Sequence, residues 1–183
     1  MKVVILNGNP DPAGQQFEDR INKLCSSLET KGIEVNHIRL RNHNIISCTG
    51  CWGCWVKTPG ECLFRDDSRE IRKEVIRADL LIFASPLIMG FTSALLKIMQ
   101  DKLIPLVLPY IELVDNECHH EKRYEKYPKL GLIYSREPET DREDIQILTD
   151  IYKRLAINLR SELQFSKSIE EPLENLIHEI VHH

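Results

Sequence analysis

Four cysteines, Cys48, Cys51, Cys54 and Cys62, lie in one short segment, Cys-Thr-Gly-Cys-Trp-Gly-Cys-Trp-Val-Lys-Thr-Pro-Gly-Glu-Cys. Such a group of thiols has three chemical interpretations. Short Cys-x-x-Cys loops bring several thiolates to one metal ion or iron–sulfur cluster. The same spacing also suits a redox-active dithiol. Buried cysteines can instead act as small hydrophobic side chains. The density favours a chemical or structural role for the group, and these residues alone leave the three interpretations open.

The composition sets the class of protein that surrounds these thiols. With 183 residues, 42% of them hydrophobic and 28% charged, we expect a single folded domain over residues 1–183. A net charge of −4 gives no general attraction to nucleic acid or to an anionic membrane. The sequence contains no apolar run of the roughly eighteen residues that span a bilayer, and its start does not resemble a signal peptide. We therefore expect a cytoplasmic protein with reduced cysteines, which favours metal binding or catalysis over disulfides.

Alternating apolar patterns predict strands and helices in turn. Residues 3–6 are a continuous β-branched and aliphatic run, typical of a strand buried on both faces, and residues 33–40 follow as a second strand. Between them, apolar residues recur at helical spacing from Phe17 to Leu28. Further strands are predicted at residues 80–84, 130–134 and 163–165, with helices beginning near Asp66, at Ala94, before Ile145 and after Pro172. The pattern predicts an α/β fold, a doubly wound parallel sheet of five strands in the order 2-1-3-4-5.

Two segments interrupt this alternation. The first is the cysteine-rich loop, residues 47–64, which leads into Asp66 and Asp67; we expect these acids to cap the following helix. The second is an insertion at residues 105–128, which is longer than the usual connection and is expected to act as a lid or a subunit contact. It contains the run Cys118, His119 and His120, but adjacent side chains point in different directions, so a solvated or dimer-contact pair is favoured over a metal site.

Ligands of open α/β sheets bind beyond the carboxyl ends of the strands, where two loops stand out. The loop after the first strand, residues 8–16, precedes a helix N-terminus, the usual place for a phosphate. It lacks hydroxyl side chains, and Asp11 would repel a phosphate, which leaves the side chains of Gln15 and Gln16 and backbone N–H groups as donors. A phosphate site and a plain turn explain this loop equally well. In the loop after the third strand, Pro86 restricts the backbone and Gly90 permits close approach.

Three stretches together resemble the NADPH-dependent FMN reductases of flavodoxin-like fold, over essentially the full length. One is the first strand with Asn7-Gly8-Asn9-Pro10. Another runs from Cys48-x-x-Cys51-x-x-Cys54 through Lys57-Thr58-Pro59-Gly60-x-Cys62 to Asp66-Asp67. The third runs from Ser85-Pro86 through Gly90 and Ser93-Ala94-Leu95-Leu96-Lys97 to Asp101-Lys102. The cysteine motif is also similar to that of the iron–sulfur flavoproteins, a branch of the same family.

This resemblance implies FMN as the cofactor, NAD(P)H as the electron donor and, in the iron–sulfur branch, a [4Fe-4S] cluster. The implied cluster ligands are Cys48, Cys51, Cys54 and Cys62. The residues implied to hold FMN come from three loops: Asn9, Gln15, Gln16 and Phe17 at the phosphate, Ser85, Pro86, Leu87, Ile88, Met89 and Gly90 beside the ring, and Tyr134, Ser135 and Arg136 on its other side. The phosphate loop departs from the usual Ser, Thr or Arg of members that bind FMN well.

The expected function is therefore an FMN-dependent NAD(P)H oxidoreductase that passes electrons to a quinone, a small aromatic molecule, a metal or a protein. The cofactor performs such chemistry, so no catalytic side chain is demanded. An iron–sulfur flavoprotein or a flavodoxin-like electron carrier is one alternative, and a non-enzymatic relative that has lost FMN binding is another. A homodimer or homotetramer is expected from the insertion and from the family.

Overall fold

The structure is a computed structural model, which describes residues 1–11, 15–114 and 116–182. Its elements follow the predicted alternation of strands and helices. In chain order they are β1 (Lys2–Asn7), α1 (Gln15–Thr30), β2 (Glu34–Arg39), α2 (Gly53–Val56), α3 (Ser68–Arg77), β3 (Leu80–Ile88), β4 (Phe91–Thr92), α4 (Ala94–Asp101), β5 (Val107–Val114), β6 (Glu117–Lys122), β7 (Lys129–Ser135), α5 (Arg142–Asn158), β8 (Leu163–Ser168) and α6 (Leu173–Val181).

The central sheet has the strand order β2-β1-β3-β7-β8, and these five strands run parallel. The five parallel strands follow the predicted order 2-1-3-4-5 and the α/β fold class is confirmed, but the short strand β4, paired with β3, is a sixth strand of the sheet that was not predicted. Parallel pairing brings the carboxyl ends of all five strands to one edge of the sheet, where the connecting loops lie next to each other. Pro12, Ala13 and Gly14 of the expected phosphate loop lie outside the described residues.

Both faces of the sheet are covered by helices, which explains the continuous apolar runs of the strands. Val4 and Leu6 of β1 pack on the face covered by α3, α4 and α5, whereas Val3 and Ile5 pack against α1 and α6. Successive side chains of a strand point to opposite faces, so one strand contributes to both cores. The sheet is thereby fixed from two sides, and the loops at its edge are held on a rigid base.

Two features differ from the expectation. Strand β3 extends past Ala84 to Ile88, and the chain then turns back to form β4, which pairs antiparallel with β3. The segment from Ser85 to Gly90 is therefore mostly strand rather than loop. Strands β5 and β6 of the insertion form an antiparallel hairpin of their own. Asp115 within that insertion lies outside the described residues. Among the described helices, no stretch is both long and apolar enough to cross a bilayer.

Candidate functional site

A crevice of ≈ 770 Å³ lies at the carboxyl ends of β1, β3, β7 and β8, and we refer to it as the strand-tip crevice. Of the residues implied to hold a flavin, those that line it are Asn9, Gln15, Gln16, Phe17, Pro86, Ile88 and Ser135. Ser85, Leu87 and Tyr134 are buried outside this lining, and Met89 and Gly90 form the turn that follows Ile88. Arg136, implied with Tyr134 and Ser135, also lines the crevice, and the structure adds Pro10, Asp11, Arg20, Ile169 and Glu170.

Asparagine side chains shape the first loop of the crevice. Asn7 and Asn9 are both buried, and the Asn9 N–H donates to Asn7 Oδ1 at 2.9 Å. The Asp11 N–H in turn donates to Asn9 Oδ1 at 3.1 Å. Gly8 lies against α4, where an added Cβ would approach Leu96 Cβ to 2.6 Å. The loop is therefore held by its own side chains, and a larger residue at Gly8 would displace it.

The first turn of α1 carries a buried carboxylate whose charge is balanced. Glu18 pairs with the guanidinium groups of Arg39 and Arg41, the latter at 2.9 Å. Burial alone would raise the pKa of Glu18, but the hydrogen bonds from Arg41 and Arg39 more than offset this, so the pKa lies below its ordinary value. This acid therefore adds little net negative charge at the helix N-terminus, where the backbone N–H groups favour an anion.

Arg20 of α1 binds the loop after β8 at the crevice. Its guanidinium donates to the carbonyl oxygens of Ile169, at 2.6 and 3.0 Å, and of Glu171, at 2.6 Å. These bonds tie α1 to the loop that follows β8, and so fix the wall that contains Ile169 and Glu170. The positive charge of Arg20 lies in the same crevice as the negative charge of Asp11.

A second cavity, of ≈ 470 Å³, contains the cysteine-rich loop, and we refer to it as the cysteine cavity. Cys48, Cys51, Cys54 and Cys62 all line it, together with residues from the end of α4 and from α5. Trp52, which lies between two of these cysteines, adopts a left-handed backbone conformation with φ 58. The short helix α2 begins directly after it. The loop thus turns sharply and brings four separate cysteines to one cavity.

Buried cations accompany these thiols. Lys102 is only 1% exposed, and its ammonium lies 2.8 Å from Asp66 Oδ2 and 3.2 Å from Cys62 Sγ. The same ammonium faces the ring of Phe64, 5.9 Å from its centroid. Arg72 is buried nearby and donates to the Lys102 carbonyl oxygen at 3.4 Å. The expected capping by both acids is met only in part: Asp67 is the N-cap of α3 but makes no side-chain capping bond, whereas Asp66 Oδ1 accepts from the Ser68 N–H at 3.1 Å. The cavity therefore has positive charge available to stabilise thiolates.

The thiols themselves differ in their environments. Burial, followed by the charges of Cys62 and Cys48, raises the pKa of Cys54. Cys51 is exposed, and a hydrogen bond from the Gly53 N–H lowers its pKa although desolvation opposes this. The charges of neighbouring thiols thus act on Cys54 within the shared cavity.

The four thiols share a cavity without converging on one ion. Within residues 1–11, 15–114 and 116–182, no three His, Cys, Asp or Glu side chains are placed to hold a single metal ion. The described part of the chain therefore shows a group of four cysteines around one cavity, but no formed metal centre.

The second cysteine–histidine group does not form a ligand set. Cys118 is exposed, and His119 is buried with its Nδ1 2.8 Å from Asn158 Oδ1. His120 packs on Trp55, with ring centroids 4.7 Å apart, and lines the cysteine cavity. The two histidines therefore make separate contacts within the chain and are not the solvated pair that was expected, while Cys118 is exposed.

Comparison with known proteins gives a consistent result. Residues 1–119 match the sequence model of the NADPH-dependent FMN reductase family. An iron-sulfur flavoprotein of Methanocaldococcus jannaschii is 35% identical over 106 residues, which are 58% of this chain and 53% of that protein. An iron-sulfur flavoprotein of Archaeoglobus fulgidus is 33% identical over 105 residues, 57% of this chain and 46% of that protein. The chain thus spans about half the length of the curated relatives it matches.

Solved structures share the fold at low identity. An FMN-dependent NADH-azoreductase of Bacillus anthracis, solved in complex with FMN, has a TM-score of 0.61 at 12% identity, covering 97% of this chain and 92% of that chain. A second azoreductase of the same species has a TM-score of 0.62 at 14% identity, covering 100% and 93%. At such identities the likeness shows the fold alone.

Proposed function

We propose, since the chain belongs to the NADPH-dependent FMN reductase family, that it is an FMN-dependent oxidoreductase whose flavin lies in the strand-tip crevice. The observation that carries this proposal is the crevice itself, ≈ 770 Å³ at the carboxyl ends of four strands and next to the N-terminus of α1. The proposed electron donor is NAD(P)H. The proposed acceptor is a quinone, a small aromatic molecule, a metal ion or a redox protein.

The residues of the crevice fit such a cofactor in size and in donors. The backbone N–H groups of Gln15, Gln16 and Phe17 begin α1 and would bind the phosphate. Pro86 and Ile88 on one side, and Ser135 on the other, would border the flat ring. Asp11 opposes the phosphate charge, and we therefore expect moderate rather than tight affinity.

When bound, FMN would supply hydride acceptance from a reduced nicotinamide and electron transfer to an acceptor. The chain's own part is to bind and orient. Buried Asn7 and Asn9 hold the first loop, Arg20 closes the wall formed after β8, and Ile88 presents an apolar side chain. No side chain is assigned a proton transfer.

FMN titration of the purified apoprotein tests the proposal. We expect saturable quenching of FMN fluorescence, and anaerobic NADPH should then bleach the visible absorbance of the bound flavin. Bound flavin that NADPH does not bleach would identify an electron carrier instead of a reductase. A chain that takes up no FMN at all would refute the flavin site.

A second function is favoured by one specific observation, the four cysteines that line a single cavity beside buried Lys102. We propose that this cavity can hold a [4Fe-4S] cluster, with Cys48, Cys51, Cys54 and Cys62 as ligands. Such a cluster would supply single-electron transfer. The ammonium of Lys102 would offset part of the negative charge of the thiolates.

Iron and sulfide analysis after anaerobic reconstitution tests the cluster. We expect about four irons per chain in the native sequence, as a four-iron cluster requires, and a large loss in Cys54→Ser, whose side chain is buried in the cavity. Cys118→Ser is the matched control, because this cysteine lies outside the cavity. Equal iron in the two variants would refute these ligands and leave the flavin proposal unaffected.

A further inference from the structure

Glu137 binds the turn that ends β3, although it belongs to the loop after β7. Its Oε1 accepts from the Met89 N–H at 2.9 Å, and its Oε2 accepts from the Gly90 N–H at 2.8 Å. Both carboxylate oxygens therefore bind consecutive backbone donors of one turn. Bonds of this kind, between an ionised acceptor and an N–H group, are stronger than neutral ones.

The turn needs such support. Met89 and Gly90 form the two-residue connection of the β3–β4 hairpin, in which Ile88 pairs with Phe91. Both have positive φ, 55 for Met89 and 77 for Gly90. The left-handed region is unfavourable for a residue with a side chain such as Met89. The Met89 side chain is 93% exposed, so it gains little from packing, and the bonds to Glu137 hold the turn together with the pairing of β3 and β4.

Glu137 is itself held from the other side. Its N–H donates to Thr140 Oγ1 at 3.0 Å, and the Thr140 N–H donates to the Glu137 carbonyl oxygen at 3.1 Å. The next residue, Asp141, is the N-cap of α5 and forms a capping box with Asp144. The carboxylate is therefore presented from the fixed end of a long helix rather than from a free loop.

The position of this contact relates it to the crevice. Pro86 and Ser135 are register partners at the tips of β3 and β7, and both line the strand-tip crevice. Ile88 and Arg136 line the crevice as well. Ile88 immediately precedes Met89, and Arg136 immediately precedes Glu137, which binds the Met89 N–H. The carboxylate thus joins the two walls just beyond the last pair of the parallel ladder.

We propose that Glu137 is a positioning residue of the flavin site, which sets the separation of the two walls between which the ring lies. The inference rests on the proposed FMN site and deepens it. Without the carboxylate, the turn and the loop after β7 move independently, and binding a flat ligand between them must order both. Such ordering weakens the affinity for the ligand.

The test is an FMN titration of the full chain carrying Glu137→Gln. The amide can accept one of the two bonds, but its NH2 group then faces the other N–H. We expect about tenfold weaker FMN binding, comparable to the loss of one hydrogen bond to a charged group. Glu139→Gln is the matched control, because it makes the same charge change on an exposed side chain of the same loop. Thr140→Val should weaken binding in the same direction by a smaller factor.

Two further readouts separate positioning from a general structural role. E137Q loses a bond of the folded apoprotein, so its urea midpoint should fall modestly below that of E139Q while both stay folded under the titration conditions, and the visible circular dichroism of bound FMN at saturation should change in E137Q alone. Unchanged or tighter FMN binding in E137Q would overturn the inference while the flavin site stands. Weaker binding with an unchanged visible circular dichroism at saturation would overturn it as well, because it would show a general loss of stability without a shift of the ring. A native chain that binds no FMN would overturn both proposals.

Discussion

Replacing Lys102 by methionine removes one partner of a fully buried ion pair. The side chains of Lys102 and Asp66 are 1% and 0% exposed, and their charged atoms lie 2.8 Å apart. At that distance and an effective dielectric constant of about 20, the gross attraction is about 6 kcal/mol. Much of it offsets desolvation, but the variant leaves the Asp66 carboxylate buried without its cation, which costs about 3–5 kcal/mol.

Other contacts of Asp66 place the expected loss of unfolding free energy at the lower end of this range. Its oxygens still accept from the Ile46 N–H at 2.9 Å and from the Ser68 N–H at 3.1 Å. We expect Lys102→Met to lower the free energy of unfolding by about 3 kcal/mol, or the melting temperature by roughly 6–12 °C for a chain of this size. Urea unfolding followed by circular dichroism measures this directly. Lys97→Met, which removes an exposed pair with Asp101 on the same helix, should cost less than about 0.5 kcal/mol.

A double variant separates the ion pair from packing. Asp66→Asn with Lys102→Met removes both charges, and we expect it to be more stable than Lys102→Met alone, since no uncompensated carboxylate remains. If Lys102→Met unfolds within about 0.5 kcal/mol of Lys97→Met, or if the separate effects of Lys102→Met and Asp66→Asn simply add in the double variant, the buried pair does not stabilise the fold.

Three further outcomes are expected. Asp11→Asn should bind FMN severalfold more tightly at low salt, because it removes a negative charge from the crevice that would hold the phosphate, and equal affinities would contradict this. Burial, then the charge of Arg39, lowers the pKa of His37 to about 4 from 6.5. The unfolded chain therefore binds a proton at His37 at a higher pH than the folded chain does. The free energy of unfolding should fall as the pH drops from 6.5 to about 4, while the NMR signals of the His37 ring in the folded chain stay unshifted down to pH 5. In the cluster-free protein, iodoacetamide should modify exposed Cys51 readily and leave Cys25 intact until unfolding, because burial raises the pKa of Cys25 to about 11. Rapid modification of Cys25 would show that it is accessible.

The sequence was sufficient for the order of the sheet because its strands are continuous apolar runs separated by amphipathic helices. It did not predict that β3 continues to Ile88, since Pro86 is rare inside strands and the positive φ of Met89 has no signature in the sequence. The β5–β6 hairpin was missed for another reason. Its residues are largely exposed, so the alternation that indicates a half-buried strand is absent.

The cysteine cluster could be located from the sequence alone, but its charge environment could not. Cys62 and Lys102 are far apart in the chain, and only folding places the ammonium 3.2 Å from the thiol sulfur. The same holds for Arg20 and Ile169, which are separated by 149 positions and meet at the crevice. Local spacing in the sequence identifies groups of similar residues. The residue that sets the charge environment of such a group comes from an element far away in the chain.

Helix α4 relates the two cavities to each other. At its start, Ser93 Oγ donates to the Gly8 carbonyl oxygen at 2.5 Å, and the Ser93 N–H donates to Ser85 Oγ at 2.9 Å, so the helix N-terminus is fixed behind the tips of β1 and β3. At its end, Lys102 enters the cysteine cavity beside Cys62. Eight helical residues span about 12 Å. A single short helix therefore contacts, at its start, Gly8 and Ser85, which immediately precede the crevice residues Asn9 and Pro86, and at its end it lines the cysteine cavity itself.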